Sequence, residues 1–429
     1  MMRFPPRQDS LSGVQRQRAP APPGLFPCLA DPSSPFHFLF LRDLATVISF
    51  LTFLLAASCH SAEHSSSSNR LIVAVGWTGE GKTHSPVDVN LPTVPVRICS
   101  SGLFERCYTL RRLLLDTGSS GLRIFSSSIP PSKIRRTGPE KKPSLRECLP
   151  FGTSRLWGRV VRLDVMLGRE PPIRSLPVQI VESIPEFPPS SPCDGKGRAM
   201  SDKSLSGIDG VLGVSPAESD GGYYFACAGQ KCRPAFPSLQ ESVSNPVLHE
   251  KIDNNGIVLT FPSLPRKGAR SVSGEMLLGI DTSPDNRLPP GVRFFPLERN
   301  VFFHATLEKS PRILYGRLDT GTNALVVPTL KLPRCPPPLN RLACPTKETS
   351  TSVALIEKGG NSHLFSILAG NAAARLSGSR SVFDDILYMP PESPFSPFIL
   401  GMPFFFGKTI YLLYPGSSIT KEGAFACLC

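Results

Sequence analysis

Two short segments of this 429-residue chain are built for acid–base chemistry: Asp116-Thr117-Gly118-Ser119 and Asp319-Thr320-Gly321-Thr322. Each places an acid at the end of an apolar run, then a small turn, a hydroxyl residue and a second apolar run. Two carboxyls held about 3 Å apart cannot both ionise, so they share one proton and titrate as a coupled pair. The ionised member can take a proton from water while the protonated member donates to a carbonyl oxygen. That pairing hydrolyses a peptide bond without a metal or a covalent intermediate. Either Asp can be the base.

These segments need elements to hold them, and a second repeated feature supplies the outline. Asp209-Gly210-Val211-Leu212-Gly213 lies downstream of the first acid, and Phe398-Ile399-Leu400-Gly401 lies at a similar offset downstream of the second. Each has two apolar residues followed by Gly. The same order of parts in two halves implies duplication and a pseudo-twofold fold, whose axis can bring both Asp together.

Composition narrows the scaffold. With 46 Pro and 35 Gly, the chain is too interrupted for a coiled coil, a helical bundle or a helical repeat array. At 40% apolar residues it can still bury a core. Short apolar runs bounded by Pro and Gly read as strands: Leu71–Val75, Val94–Ile98, Leu122–Phe125, Val160–Val165, Val178–Val181, Ile257–Phe261, Met276–Ile280 and Ile410–Leu413. Leu364–Leu376, with several Ala, is the best helix candidate.

On these residues the chain resembles the pepsin-like aspartic peptidases, over most of residues 70–429. In that family each lobe carries D-T-G-[ST] on a loop beneath a strand with an apolar-apolar-Gly triplet. Gly274-Glu275-Met276-Leu277-Leu278-Gly279-Ile280-Asp281, with Phe294-Phe295-Pro296-Leu297, resembles the start of the second lobe. Phe151-Gly152-Thr153-Ser154, with Gly158 and Asp164–Gly168, resembles the flap hairpin and its return strand. Asp253-Asn254-Asn255-Gly256-Ile257 and Gly401-Met402-Pro403-Phe404-Phe405-Phe406-Gly407 are similar to a bacterial family of exported pepsin-like proteins without an assigned activity. The resemblance implies a mainly β, bilobal pepsin-like fold with lobes at 71–266 and 267–429. It implies an exported aspartic endopeptidase with catalytic Asp116 and Asp319. Thr117 and Thr320 would bond across the axis, Ser119 and Thr322 would bond the outer carboxylate oxygens, and Gly118 and Gly321 would allow close backbone approach. The flap of this family carries Tyr where Phe151 stands, so Phe151 keeps an apolar wall beside Gly152 and lacks the hydroxyl. Trp157 is the candidate substitute donor. That departure supports an alternative, a weakly active or inactive pepsin-fold envelope protein that binds peptide or polymer.

Residues 1–59 read as a leader: the apolar run Leu44–Ala57 has the length of a signal-peptide core and ends at Ala56-Ala57-Ser58-Cys59. Cys59 is a lipidation candidate in a lipobox-like context, and residues 60–70 read as a flexible tether. The expected location is therefore the bacterial periplasm or an outer-membrane lipoprotein, or a membrane anchored by residues 44–57. Twelve Cys without a CxxC pair favour disulfides over zinc, with Cys99/Cys107, Cys227/Cys232 and Cys335/Cys344 at loop-closing spacings. The net charge is +13, and the leader holds only five Arg and three Asp of it, so the basic surface belongs to the remainder. The basic stretch Lys133–Arg146 reads as a solvated loop or a docking patch for acidic partners. Expected partners are a protein or peptide substrate and anionic envelope polymers, with no nucleic acid, cofactor or metal, in a monomer that meets membrane only through its leader or lipid. Gly76–Thr83 also fits a phosphate-binding loop, G-x-x-x-x-G-K-[ST], but Pro86, Pro92 and Pro95 follow where that mechanism requires a helix.

Overall fold

The computed structural model describes residues 68–76, 88–102, 106–130, 143–152, 154–182, 193, 198–200, 207–229, 231–307, 312–328, 330–390 and 397–428. The leader, the apolar run 44–57, Cys59 and most of the tether lie outside the described residues. The fold already engages the chain at Asn69, whose buried amide donates to the Leu278 carbonyl at 3.0 Å. Ser66–Cys429 form one compact unit, and its described residues are mainly β.

All eight apolar runs fall wholly or mainly in strands, with only Phe261 and Gly279-Ile280 beyond the strand ends. Leu71–Val75 and Val94–Ile98 alternate between core and surface, as a half-buried pleated strand requires, whereas Leu122–Phe125, Val178–Val181 and Ile410–Leu413 are buried on both faces. The helix expected over Leu364–Leu376 is instead a strand, Ser362–Ala369, followed by a short helix, Ala372–Leu376. Phe365, Ile367 and Ala369 are buried while Leu364 and Ser366 are exposed, a period of two that outweighs the Ala content. The strand pairs along its whole length with Thr349–Ile356, and Asn371 then caps the helix by accepting from Ala374 N at 3.0 Å.

The duplication is explicit in strand register. Tyr108–Asp116 runs parallel to Gly210–Val214, with Asp116 opposite Gly213. Leu314–Asp319 runs parallel to Phe398–Gly401, with Asp319 opposite Gly401. On the far side of each glycine strand lies an antiparallel partner, Ser120–Phe125 in the first half and Leu325–Val326 in the second. Each of these pairs in parallel with a further strand, Ile173–Val181 and Leu387–Tyr388 respectively. The glycines permit this layout: a Cβ on Gly213 would lie 2.7 Å from the Ser119 carbonyl, and one on Gly401 would lie 2.1 Å from that of Ala324.

The first half's Asp strand belongs to a 16-stranded sheet and the second half's to a seven-stranded sheet, counted over the described residues. The larger sheet also stitches the halves together. Arg70–Val75 pairs antiparallel with Val272–Leu278, which pairs with Gly256–Thr260 and through it with Thr409–Leu413. The lobe division expected near residue 267 thus falls within a shared sheet, and one apolar cluster includes Leu113, Leu115, Leu318 and Leu400. Buried Tyr414 of the second half donates to the Val214 carbonyl of the first at 2.9 Å.

Residues 77–87, most of the phosphate-loop match, lie outside the described residues. The strand after them, Pro92–Ser100, returns antiparallel to Arg70–Val75, with Val75 opposite Pro92. A strand–loop–helix phosphate site leads instead to a parallel crossover, so these flanks give that motif no support. Disulfides join Cys99–Cys107, Cys227–Cys232 and Cys335–Cys344 as expected, and Cys148–Cys193 adds a longer link; Cys427 is also disulfide-bonded.

Away from the paired Asp, buried Glu250 stands beside Glu170 and Asp253. Burial first, then those two charges, pushes its carboxyl up to about 8. The folded state therefore holds a proton that the unfolded chain releases near 4.5, and stability drops as pH rises between the two values. Urea unfolding of Glu250→Gln is expected to show a flattened decline and a gain over the parent near pH 8, with little difference near pH 4.5.

Candidate active site

Asp116 and Asp319 are the last residues of their strands, so the chain turns where each carboxyl emerges. The Thr that follows each one crosses to the other half. Thr117 N donates to Thr320 Oγ1 at 3.0 Å, and Thr320 N donates to Thr117 Oγ1 at 3.0 Å. The same hydroxyls donate onward, Thr117 to the Leu318 carbonyl at 3.1 Å and Thr320 to the Leu115 carbonyl at 2.6 Å. Each hydroxyl both accepts and donates, and the two loops are locked back to back.

The carboxylates are held in a matching way. Asp116 Oδ1 accepts from Gly118 N at 2.8 Å and Oδ2 from Ser119 Oγ at 2.5 Å. Asp319 Oδ1 accepts from Thr322 N at 3.0 Å and Oδ2 from Thr322 Oγ1 at 2.9 Å. Each glycine lies against the opposite acid. A Cβ on Gly118 would sit 2.5 Å from Asp319 Cγ, and one on Gly321 would sit 2.7 Å from Asp116 Oδ1. Burial, then the charge of Asp319, holds the Asp116 carboxyl well above the usual carboxylate range. The pair therefore keeps a proton at pH values where isolated carboxyls have lost theirs.

All eight predicted motif residues gather at this point, and six of them, all but Thr117 and Thr320, line a cavity of about 550 Å³. A hairpin, Ser144–Phe151 and Ser154–Leu167, forms another wall, with Phe151 opposite Ser154 and the turn opened by Gly152 at φ +56°. Phe151 and Gly152 line the cavity. Trp157 does not. It pairs with Cys148 and packs on Phe225 at 5.6 Å between ring centroids, beside Cys193. Strand alternation explains this: Leu156 clusters with Leu149 and Phe151, and Trp157 takes the opposite face, so it offers the cavity no donor. Residues 133–142 of the basic stretch lie outside the described residues; its last residue, Arg146, pairs with Glu182 at 2.6 Å.

One cluster behind the acids was not anticipated. Arg123 is fully buried, donates to the Ser120 carbonyl at 2.6 Å, and ion-pairs with Glu147 of the hairpin and Asp220 of the cavity wall, each at 3.1 Å. Tyr224 adds a hydrogen bond to Glu147 at 3.1 Å, and Asp220 accepts from Ser120 N at 2.6 Å. The available signal was a single Arg inside the apolar run Leu122–Phe125. No group of three or more His, Cys, Asp or Glu side chains among the described residues is arranged to hold a metal.

A mainly β fold with two equivalent halves, each delivering Asp-Thr-Gly to a common cavity, is the class this chain displays. The family model described as "Protein of unknown function (DUF3443)" matches residues 65–427, and the chain belongs to that family. No curated protein matches it in sequence. Among solved structures it is similar to an aspartic proteinase from Irpex lacteus, at 15% identity and a TM-score of 0.47, over 83% of this chain and 96% of that one.

Thr117→Val and Thr320→Val each strand buried partners, so each should cost about 1–3 kcal/mol in chemical unfolding. The double variant should cost less than the sum, because the two side chains share bonds. Full additivity would show that the loops are not coupled in this way.

Proposed function

We propose that this protein is an exported aspartic endopeptidase. The supporting observation is the pair of carboxyls on crossed loops at the base of the cavity, each with its own hydroxyl and backbone donor. With one proton shared, one Asp accepts a proton from water as that water attacks the scissile carbonyl. The other donates to the carbonyl oxygen, and the tetrahedral intermediate then collapses with protonation of the leaving amine. The Thr117–Thr320 bonds keep both carboxyls in place during this exchange, so little reorganisation is required. The four disulfides support an oxidising, extracytoplasmic location. The leader and Cys59 would provide export and anchoring, while residues 71–266 and 267–429 would form the two lobes.

A second reading has one specific observation behind it. Phe151 contributes a ring without a hydroxyl to the cavity, which suits a protein that binds peptide and cleaves it slowly or not at all.

Asp116→Asn and Asp319→Asn should each reduce cleavage of an unfolded protein at mildly acidic pH by roughly 10²- to 10⁴-fold. Their unfolding transitions should remain cooperative. Because burial raises the Asp116 carboxyl, wild-type activity should persist above the ordinary carboxylate range and fall as the pair loses its last proton. Turnover retained in either variant would overturn the mechanism. Tight binding of a statine-containing peptide without any turnover would favour the binding-only reading.

A further inference from the structure

The two halves share a register, which makes their differences informative. Two residues before Asp116 stands Leu114, opposite Val211; two residues before Asp319 stands Arg317, opposite Ile399. Leu114 is buried in an apolar cluster, as its strand pattern demands. Arg317 is only partly buried, and it lines the cavity that holds both Asp. Positions 317 and 319 share one face of their strand, because side chains alternate. The fold therefore tolerates an apolar residue at this register, and a cation at 317 serves something other than packing.

The partners of Arg317 leave its charge unneutralised. Nη1 donates to the Gly118 carbonyl at 3.3 Å, and the guanidinium lies 5.4 Å from the Phe302 ring centroid. No carboxylate of the described residues lies within ion-pairing distance of it. Other inward-facing arginines differ: Arg123 pairs with Glu147 and Asp220, and Arg375 with Asp385. Asp220 lines the same cavity and feels the charge of Arg317, yet its own ion pair and its bond from Ser120 N tie it to the Arg123 cluster. The ring and the Gly118 carbonyl hold the guanidinium in one place, which lowers the entropy lost when it binds a ligand. A planar, always-charged fork with free donors in a half-buried cavity fits a carboxylate in bidentate fashion.

We propose that Arg317 is a specificity-determining residue that selects peptides with an acidic side chain close to the scissile bond; this rests on the peptidase reading of the cavity. Among the described residues, Asp116, Asp319 and Asp220 are the acidic groups facing the same space, and by themselves they would repel such a substrate. Arg317 offsets that repulsion locally. Since a guanidinium keeps its charge and a peptide Glu loses its charge below about pH 4.3, the preference must fade in acid.

The test uses two statine-containing peptides that differ only by Glu or Gln, placed in turn at each position flanking the statine. Dissociation constants are measured by titration calorimetry with the wild-type chain, Arg317→Met and Arg317→Lys. At mildly acidic pH the wild type should bind the Glu peptide about tenfold more tightly at one flanking position, the scale of a charge-assisted hydrogen bond. The ratio should fall to about one in Arg317→Met, remain in part in Arg317→Lys, and shrink in the wild type as the peptide Glu protonates. A Glu/Gln ratio of one at every position in the wild type, a ratio unaltered in Arg317→Met, or no binding of either peptide would overturn the proposal. Because binding is read without turnover, a wild-type chain that binds with this ratio but cleaves nothing would refute the peptidase reading and leave the role of Arg317 standing.

Discussion

The reciprocal hydrogen bonds between Thr117 and Thr320 are the constraint on which the centre of this molecule depends. Two acids drawn into the same buried space repel each other, and only rigid loops can hold them there. Each Thr hydroxyl bonds the opposite loop twice, so neither loop can withdraw without stranding buried backbone groups. Gly118 and Gly321 complete the constraint from beneath, because each lies where any side chain would strike the opposite carboxylate. Crossed loops, bare glycines and a shared proton are three aspects of one arrangement.

Around that centre the halves agree in backbone and disagree in charge. Arg123 lies opposite Val211, and Val326 lies opposite Ile399 at the same register, so an Arg in the first half answers a Val in the second. On the other side of the same Val211 and Ile399 the roles reverse, with Leu114 in the first half and Arg317 in the second. The two cations do different work. Arg123 is fully buried and joins the hairpin, through Glu147, to the loop behind Asp116, through Ser120 and Asp220. Arg317 is exposed to the cavity. Duplication supplied a symmetric frame, and these two exchanges give it a sealed side and an open one.

Much of this was legible along the chain because it depends on local chemistry. Asp-Thr-Gly followed by a hydroxyl residue supplies its own carboxylate donors within three residues, and apolar alternation marks strands wherever one face is buried. Legibility failed where two local signals competed or where a partner lay far away. In Leu364–Leu376, Ala content suggested helix, but pairing with Thr349–Ile356 rewarded the alternation of Phe365 and Ile367. Trp157 had the right chemistry for a donor, yet strand parity turned it toward Cys148 and Phe225 and away from the cavity. Arg123 stood in plain view, but its meaning depends on Glu147 in the hairpin and on Asp220 and Tyr224 in a second, distant segment.

By itself the sequence determined a mainly β chain in two matching halves, the identity of the paired acids and the hydroxyls that serve them. Those properties follow from residue type and spacing over a few positions. Tertiary structure alone decided that the acids share one cavity, that a single sheet stitches the halves together, and that Phe151 rather than Trp157 lines the cavity. It also decided which arginine is neutralised and which is free. Each of these depends on contacts across 20 to 200 residues, where strand register and burial, not local preference, choose the partner.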